Sequence, residues 1–346
     1  MGFPRATRSR WRSNIEPAPS MMSWQEFPWQ QEEPDPNRDR LCTRSCVPTH
    51  LDCRIEGANF TRQQAAPKDE IVLCTYNVER GLRLDDQLRA FGGDAGMPSP
   101  DVLLINEADR GCTRSGNRNV AREYAQELDS CYVYGVEFIE LPRFYGPGGS
   151  VRRGCEHGNA IVSRFPLGNV RLIRHKRTRS WHSTVQRILH VGEPRLGGRV
   201  ALAADVRIGE RTLRVYSVHF DSGHRGHGSR GTLTYREAQA RELIEDASGL
   251  HQGVVIGGDM NVGRCHGPRG EDEPLEPTTS ALVEAGYEDA HAALPVGERV
   301  TTASGVAIDL ILAVASLHGS GRRPTRGLGR LVGPSACVGP RQLMSH

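Results

Sequence analysis

The chain has 346 residues, of which 37% are hydrophobic and 25% charged, and its formal net charge is +3. This composition allows a substantial buried core and excludes a wholly disordered or fibrous protein, while the small net charge does not by itself indicate a nucleic-acid-binding protein. The longest apolar runs, such as residues 102–105, are much shorter than the roughly 20 residues of a transmembrane helix, so we predict no membrane span.

Three segments of the chain differ in their hydrophobic pattern. Residues 1–69 show little periodic hydrophobicity, and we expect a flexible N-terminal extension there. Strand and helix signals alternate over residues 70–314, which we expect to form one domain. Residues 315–346 are rich in Gly, Arg and Pro and predict an irregular C-terminal tail.

The domain contains more strand signals than helix signals. Strands are predicted, in chain order, at residues 71–78, 101–107, 131–139, 159–163, 170–173, 199–208, 211–219, 253–259 and 306–314. Helices are predicted at residues 84–91, 117–128, 234–246 and 276–285. Because many strands come in adjacent pairs with helices between the pairs, we predict an α/β fold with two packed mixed β-sheets and helices outside.

The basic residues and the cysteines limit the chemistry that the chain can offer. Only Lys68 and Lys176 among the 44 basic residues are lysines, so a phosphate-binding surface must be built from arginine. Nine cysteines are spread along the chain without the dense, even framework of a small secreted domain, so we expect reduced thiols and a cytoplasmic protein by default. Cys42, Cys46 and Cys53 lie close together, but they lack a fourth ligand at a usual zinc spacing.

Polar side chains follow four predicted strands at the point where each strand ends. They are Asn77, Glu107, His219 and the pair Asp259 and Asn261. Loops beyond strand ends converge at one edge of a layered fold, so we expect these side chains to meet. Carboxylate and carboxamide oxygens suit Mg²⁺, which needs only one or two carboxylates when water and substrate phosphate complete its coordination. The alternative for each single residue is that it caps a turn.

Six motifs in order give these residues a family context. They are TYNV at 75–78, NEAD at 106–109, GNAIVSR at 158–164, SVHF at 217–220, GDMN at 258–261 and AIDLI at 307–311. In this order they resemble the endonuclease/exonuclease/phosphatase superfamily, the type I deoxyribonuclease-like metal-dependent phosphoesterases. The resemblance implies a four-layer sandwich of two mixed β-sheets flanked by helices, with the site at one edge and hydrolysis of a phosphate ester as the reaction.

The resemblance also implies a role for each matching residue. Glu107 would be the main ligand of Mg²⁺, with Mn²⁺ as an alternative, and Asn77 would support both metal and phosphate. His219 and Asn261 would contact the phosphate oxygens. Asp259 would assist the metal and align the attacking water. Arg110, Arg164 and Arg199 are further candidates for phosphate contacts.

The end of the chain departs from the family pattern. Asp309 corresponds to the acid that orients a catalytic histidine, which usually lies in a later Ser-Asp-His motif, but no Asp or Glu follows Asp309. We therefore expect the last strand region to be divergent or missing, through an altered reading frame or a divergent tail. Three interpretations remain: an impaired enzyme, an inactive family member that binds a phosphorylated ligand or partner, and a defective gene product. The expected partner is a phosphate-ester substrate, with nucleic acid, phospholipid and inositol phosphate as the alternatives.

Overall fold

The structure is a computed structural model that describes residues 55–63, 65–91, 99–142, 151–152, 154–178, 193–222, 230–262, 276–290 and 309–314. These ranges contain two six-stranded sheets and four α-helices. None of the helices in these ranges is long and apolar enough to span a membrane. The predicted tail at 315–346 and most of the predicted extension at 1–69 lie outside the described residues.

The first sheet has the strand order β1-β4-β5-β3-β2, and β7 also pairs with β4. Its strands are β1 (Ile55–Asn59), β2 (Leu73–Asn77), β3 (Val102–Arg110), β4 (Cys131–Glu140), β5 (Cys155–Ser163) and β7 (Arg195–Gly197). Only β2 and β3 run parallel; all the other neighbours are antiparallel. The parallel pair directs the C-terminal halves of β2 and β3 towards the same edge.

The second sheet has the order β11-β12-β10-β9-β8-β6. Its strands are β6 (Leu167–Arg174), β8 (Val200–Ile208), β9 (Arg211–His219), β10 (Gly253–Asp259), β11 (Glu288–Asp289) and β12 (Asp309–Val314). Strands β9 and β10 are parallel, and their pairing sets His219 opposite Asp259. Both sheets are therefore mixed, and each contains one parallel pair with polar residues at its C-terminal end.

The helices lie on the outer faces of the two sheets. They are α1 (Leu84–Arg89), α2 (Val120–Glu127), α3 (Arg230–Ala247) and α4 (Pro277–Glu284). Leu84 and Tyr124 pack with the first sheet, and Leu243 packs with the second. Between the sheets, Leu104 of β3 shares a buried cluster with Val215 of β9. The layers are thus helix, sheet, sheet and helix, which confirms the predicted four-layer sandwich.

The side-chain alternation of β3 explains how one strand contributes to two of these layers. Leu103 and Ile105 belong to the cluster with α1 and α2, whereas Val102 and Leu104 belong to the cluster between the sheets. Successive side chains of a strand point to opposite faces, so a strand covered on both faces must be apolar throughout. The continuous apolar run at residues 102–105 is the sequence signature of that position.

The predicted helices and strands agree with the structure to within a few residues, but three short strands were not predicted. They are β1, β7 and β11. Strand β1 pairs with β4 from Ile55 to Asn59, so the first sheet begins before the predicted domain boundary at residue 70. Each of the three has five residues or fewer, and strands this short carry too few alternations to stand out in a sequence. The other domain boundaries stay predictions.

The expectation of reduced thiols is wrong for part of the chain. Cys112 and Cys155 form a disulfide, and Cys74 is also disulfide-bonded, whereas Cys131 is a buried free thiol. The spacing of 43 residues between Cys112 and Cys155 gave no indication of pairing. They meet because β3 and β5 are antiparallel neighbours that reach the same end of the sheet. Disulfides persist in oxidising compartments, so the argument for a cytoplasmic default no longer holds.

The disulfide should contribute measurably to stability. Replacing both cysteines in a Cys112→Ala/Cys155→Ala variant is expected to lower the free energy of unfolding by about 4 kcal/mol, because a closed loop of this length restricts the unfolded chain. Denaturant unfolding of both proteins with and without a thiol reductant measures the effect. The difference between wild type and variant should shrink under the reductant; a difference that stays the same would contradict a role for the bond itself.

Candidate active site

The polar residues predicted at strand ends lie together at one edge of the sandwich. In the first sheet, Asn77 closes β2 and lies opposite Asn106 of β3. In the second sheet, Asp259 at the end of β10 lies between His219 of β9 and Asp309 of β12. Parallel pairing within each sheet explains the grouping, since parallel strands bring their C-terminal ends to the same edge.

Asp259 takes part in two of the hydrogen bonds that join the edges of the two sheets. Asn77 Nδ2 donates to Asp259 Oδ2 at 3.0 Å, and the backbone N–H of Asp259 donates to Asn106 Oδ1 at 2.9 Å. The side chain of Asn77 also lies close enough to the Glu107 carboxylate to help lower its pKa. The carboxylates of Glu107 and Asp259, which come from different sheets, therefore share one amide group as a neighbour.

Gly258 makes the close approach of β10 possible. A Cβ atom at this position would lie 1.9 Å from the Val218 carbonyl oxygen and 2.8 Å from Asn106 Oδ1. The backbone also has a φ of +144°, which side-chain-bearing residues rarely adopt. The glycine of the GDMN motif is thus required for Asp259 to reach Asn106.

Glu107 lies at an irregularity in β3. The register between β3 and β5 shifts between Ile105 and Ala108, and Glu107 has a φ of +58°. Such a bulge changes the direction of a side chain and is frequent beside active sites. Burial alone would raise the pKa of Glu107, but the positive charge of Arg80 and the nearby side chain of Asn77 contribute to lowering that pKa to about 2. The side chain is therefore a carboxylate at neutral pH.

Asp259, Asn261 and His219 form a second group at this edge. Asp259 Oδ1 accepts the backbone N–H of Asn261 at 2.9 Å, and Asn261 Nδ2 donates to the Phe220 carbonyl at 2.9 Å. His219 Nε2 lies 3.6 Å from Asp259 Oδ2. Asn261 Oδ1 is buried and has no hydrogen-bond partner in the described part of the chain, so it remains available as an acceptor.

The sequence did not identify Glu137 as a site residue. Its Oε2 atom lies 3.8 Å from His219 Nδ1, on the other side of the imidazole from Asp259, and its Oε1 accepts Arg199 Nη1 at 2.5 Å. Burial raises the pKa of Glu137 to about 7, although Arg199 opposes the shift. A buried Glu within the predicted strand 131–139 gave no signal of this role, because its neighbours come from distant parts of the chain.

The three candidate phosphate-binding arginines have different environments. Arg199 is buried and pairs with Glu137 beside His219. Arg110 forms ion pairs with Glu56 and Glu156. The side chain of Arg164 is 43% exposed. Arg199 is therefore the one of the three that has an ion-pair partner next to the predicted site residues.

A buried ionic network adjoins Glu107. Ion pairs with N···O distances of 2.7 to 3.2 Å connect, in order, Arg80–Glu193, Glu193–Arg195, Arg195–Glu140, Glu140–Arg114 and Arg114–Asp109. Asp109 Oδ1 then contacts His157 Nδ1 at 2.9 Å, and burial lowers the pKa of His157. Arginine suits such positions because its guanidinium stays charged and contacts several carboxylates at once.

The donor set at this edge fits a hard cation that keeps part of its water shell. No group of three or more His, Cys, Asp or Glu side chains in the described ranges is arranged as a complete metal cage. Glu107 supplies an ionised carboxylate, and Asp259 adds a second carboxylate held by the amide of Asn77. Mg²⁺ is usually bound by one or two carboxylates plus water and substrate phosphate, so it does not need a complete protein cage.

Comparison with known proteins identifies the family of the chain. The model of the Endonuclease/Exonuclease/phosphatase family matches residues 74–326. The chain belongs to this family. The match contains Asn77, Glu107, His219, Asp259 and Asp309, the residues that the structure brings to one edge. Comparison with the curated proteins finds no match.

Solved structures that match the chain are distant from it in sequence. An endonuclease/exonuclease/phosphatase from Beutenbergia cavernae is 17% identical, with 69% of this chain and 63% of that chain covered and a TM-score of 0.47. Sphingomyelinase C from Streptomyces griseocarneus is 16% identical, with coverages of 73% and 85% and a TM-score of 0.42. A humanized TDP2 from D. rerio is 16% identical, with coverages of 72% and 83% and a TM-score of 0.38.

The raised pKa of Glu137 predicts a pH-dependent contribution to stability. Between pH 4.5 and about 7 the folded protein holds a proton on Glu137 that the unfolded chain has lost, so this residue's contribution to folding falls as the pH rises. A Glu137→Gln variant lacks this titration. The free energy of unfolding of wild type minus that of the variant should fall by up to about 3 kcal/mol across this window.

Urea unfolding at several pH values tests this prediction, with Glu284→Gln at the exposed end of α4 as the control. A difference between wild type and Glu137→Gln that does not change with pH would contradict it.

Proposed function

We propose that this protein is a metal-dependent phosphoesterase or phosphodiesterase that hydrolyses a phosphate ester by Mg²⁺-assisted attack of water. One observation carries the proposal: Asn77 hydrogen-bonds to Asp259 of the second sheet and adjoins Glu107 of the first, at the same edge as His219 and Asn261. Membership of the family supports phosphate-ester hydrolysis as the general reaction.

In this proposal Glu107 is the main metal ligand, supported by Asn77 and Asp259. A divalent cation at this position would neutralise phosphate charge and stabilise the leaving oxygen. His219 binds a non-bridging phosphate oxygen through a ring N–H group, and Asn261 does so through the second N–H of Nδ2, since the first is donated to the Phe220 carbonyl. Asp259 aligns the attacking water, since its two oxygens are already oriented by Asn77 and by the Asn261 backbone.

The buried groups around His219 support its role in positioning. Glu137 lies on one side of the imidazole and Asp259 on the other, at 3.8 and 3.6 Å. Both acids are fully buried, so a histidine between them has little freedom to turn away. Pre-oriented groups in a site with little water stabilise a developing negative charge more effectively than mobile groups in water.

A catalytically inactive family member that binds a phosphorylated ligand is the second candidate. It is favoured by the sequence after Asp309, which lacks the Ser-Asp-His motif of the family pattern. Asp309 itself is in place, opposite Asp259 in the register of β10 and β12. Both candidates bind a phosphorylated ligand, but only the enzyme hydrolyses it. Measuring binding and hydrolysis on the same protein therefore separates them.

Substitution of the two acids tests the proposal. Glu107→Gln and Asp259→Ala are each expected to lower the rate of Mg²⁺-dependent hydrolysis by at least about a hundredfold, because each removes a group that orients the metal or the water. The assay measures phosphate-ester cleavage in the presence of Mg²⁺ or Mn²⁺. The substrates tested are duplex DNA, single-stranded nucleic acid, sphingomyelin and inositol phosphates.

Matched controls for these two variants lie away from the site edge. Glu237→Gln changes an acid that pairs with Arg241 on α3, and Asp85→Ala changes a highly exposed acid in α1. Both should retain wild-type rates. Full turnover in Glu107→Gln and Asp259→Ala would reject the assigned roles. Binding of a phosphorylated compound without turnover by the wild type would instead support the inactive binding protein.

A further inference from the structure

Arg80 lies in a loop with an unusual backbone conformation. Glu79, Arg80 and Gly81 follow β2 with φ angles of 47°, 65° and 71°. Non-glycine residues rarely adopt positive φ, and where they do the strain is often associated with function. The loop is held in place because Asn77 Oδ1 accepts the Glu79 N–H at 3.0 Å and the Gly81 N–H donates to the Val78 carbonyl at 2.9 Å.

The guanidinium of Arg80 is placed between two acids. Its Nη2 atom donates to Glu193 Oε1 at 2.8 Å, and its Nη1 atom lies 3.7 Å from Glu107 Oε2. The side chain is only 12% exposed. Arg80 thus contacts the proposed metal ligand at a distance that is longer than a hydrogen bond, so it attracts the Glu107 carboxylate without occupying its acceptor positions.

One donor of Arg80 has no hydrogen bond. Nε is buried and finds no partner among the residues that the structure describes. A buried N–H group without a partner is unfavourable, and a guanidinium offers five N–H donors in a planar fork that matches phosphate oxygens. A side chain that served only as a counter-charge for Glu107 would require neither an unpaired donor nor a strained backbone.

We propose that Arg80 binds a non-bridging oxygen of the substrate phosphate and thereby couples phosphate binding to metal binding. The proposal rests on the proposed function. Glu193 holds the guanidinium through Nη2, and it is itself paired with Arg195, so the remaining N–H groups of Arg80 are presented from a fixed position.

The charges predict the sign of this coupling. Without phosphate, a cation at Glu107 and the guanidinium of Arg80 repel each other, because both are positively charged and both lie close to the same carboxylate. Bound phosphate adds negative charge next to both cations and turns this repulsion into two attractions. Each ligand therefore strengthens the binding of the other, and Arg80 is the residue that makes the metal alone bind weakly.

Isothermal titration of the full chain tests the proposal with Mg²⁺ and inorganic phosphate, each alone and in the presence of the other. In Arg80→Gln, Mg²⁺ alone should bind about threefold to tenfold more tightly, because the repulsion is removed. Phosphate in the presence of Mg²⁺ should bind at least about tenfold more weakly, because a charge-assisted contact is lost. If Arg80 only maintained the local structure, Arg80→Gln would lower the affinities for Mg²⁺ and for phosphate together.

Two further variants complete the test. Arg83→Gln removes the same charge from the same loop, where Arg83 is 40% exposed and pairs with Asp86, and should change each affinity by less than about twofold. Arg80→Lys keeps the charge but not the planar fork, so it should retain the weak binding of Mg²⁺ and recover phosphate binding only in part. Thermal unfolding establishes that each variant is folded.

The outcomes separate this proposal from the proposed function. Unchanged phosphate affinity in Arg80→Gln, or an equal weakening of phosphate and Mg²⁺, overturns the role of Arg80. A wild type that binds no Mg²⁺ rejects the metal-dependent function. In that case, loss of phosphate binding in Arg80→Gln but not in Arg83→Gln still supports the Arg80 contact, and equal phosphate binding in both variants overturns it.

Discussion

The arrangement of the site depends on the hydrogen bonds that join the two sheets at one edge. Asn77 binds the Asp259 side chain, and the Asp259 backbone binds Asn106, the residue that precedes Glu107 in β3. Without these contacts the sheets would still pack through their apolar inner faces, but Asp259 would lose the contacts that fix its position relative to Asn77 and Asn106. Dispersion and hydrophobic contacts are not directional, whereas hydrogen bonds fix distances and angles. The core therefore brings the sheets together, and the amide side chains set the geometry at their edge.

Two glutamates, Glu107 partly buried and Glu137 fully buried, show how the same residue type acquires opposite properties in this site. Burial raises the pKa of both. For Glu107 the positive charge of Arg80 and other favourable contacts outweigh burial, and the pKa falls to about 2; for Glu137 burial outweighs Arg199, and the pKa rises to about 7. Pairs of carboxyl groups with widely separated pKa values are typical of sites that need a permanent negative charge and a group that can exchange a proton. The permanent negative charge of Glu107 suits a cation, whereas Glu137 can gain or lose a proton near neutral pH beside His219.

The sequence predicted the strand ends well because each depends on a local pattern. A run of apolar residues followed by Asn77, Glu107, His219 or Asp259 indicated where the chain leaves the sheet, and parallel pairing then brought these residues to one edge. Features that depend on strand register were not predictable in this way. The contact between Glu137 and His219 and the disulfide between Cys112 and Cys155 both join residues from separate strands. The bulge that redirects Glu107 is a third example, since the part of β3 that follows it, residues 108–110, is too short to show the change in the apolar pattern.

Backbone strain at the edge argues that the site is preformed. Glu79, Arg80, Glu107 and Asn261 all have positive φ angles, and each lies in or beside a group that the proposed reaction uses. Conformations of this kind persist only where surrounding contacts hold them. The contacts are present here: Asn77 holds the Glu79 N–H, Asp259 holds the Asn261 N–H, and the ionic network holds Arg80 through Glu193. A site organised in this way before any ligand arrives spends little binding energy on ordering itself, so interactions with phosphate can instead orient the ester for attack.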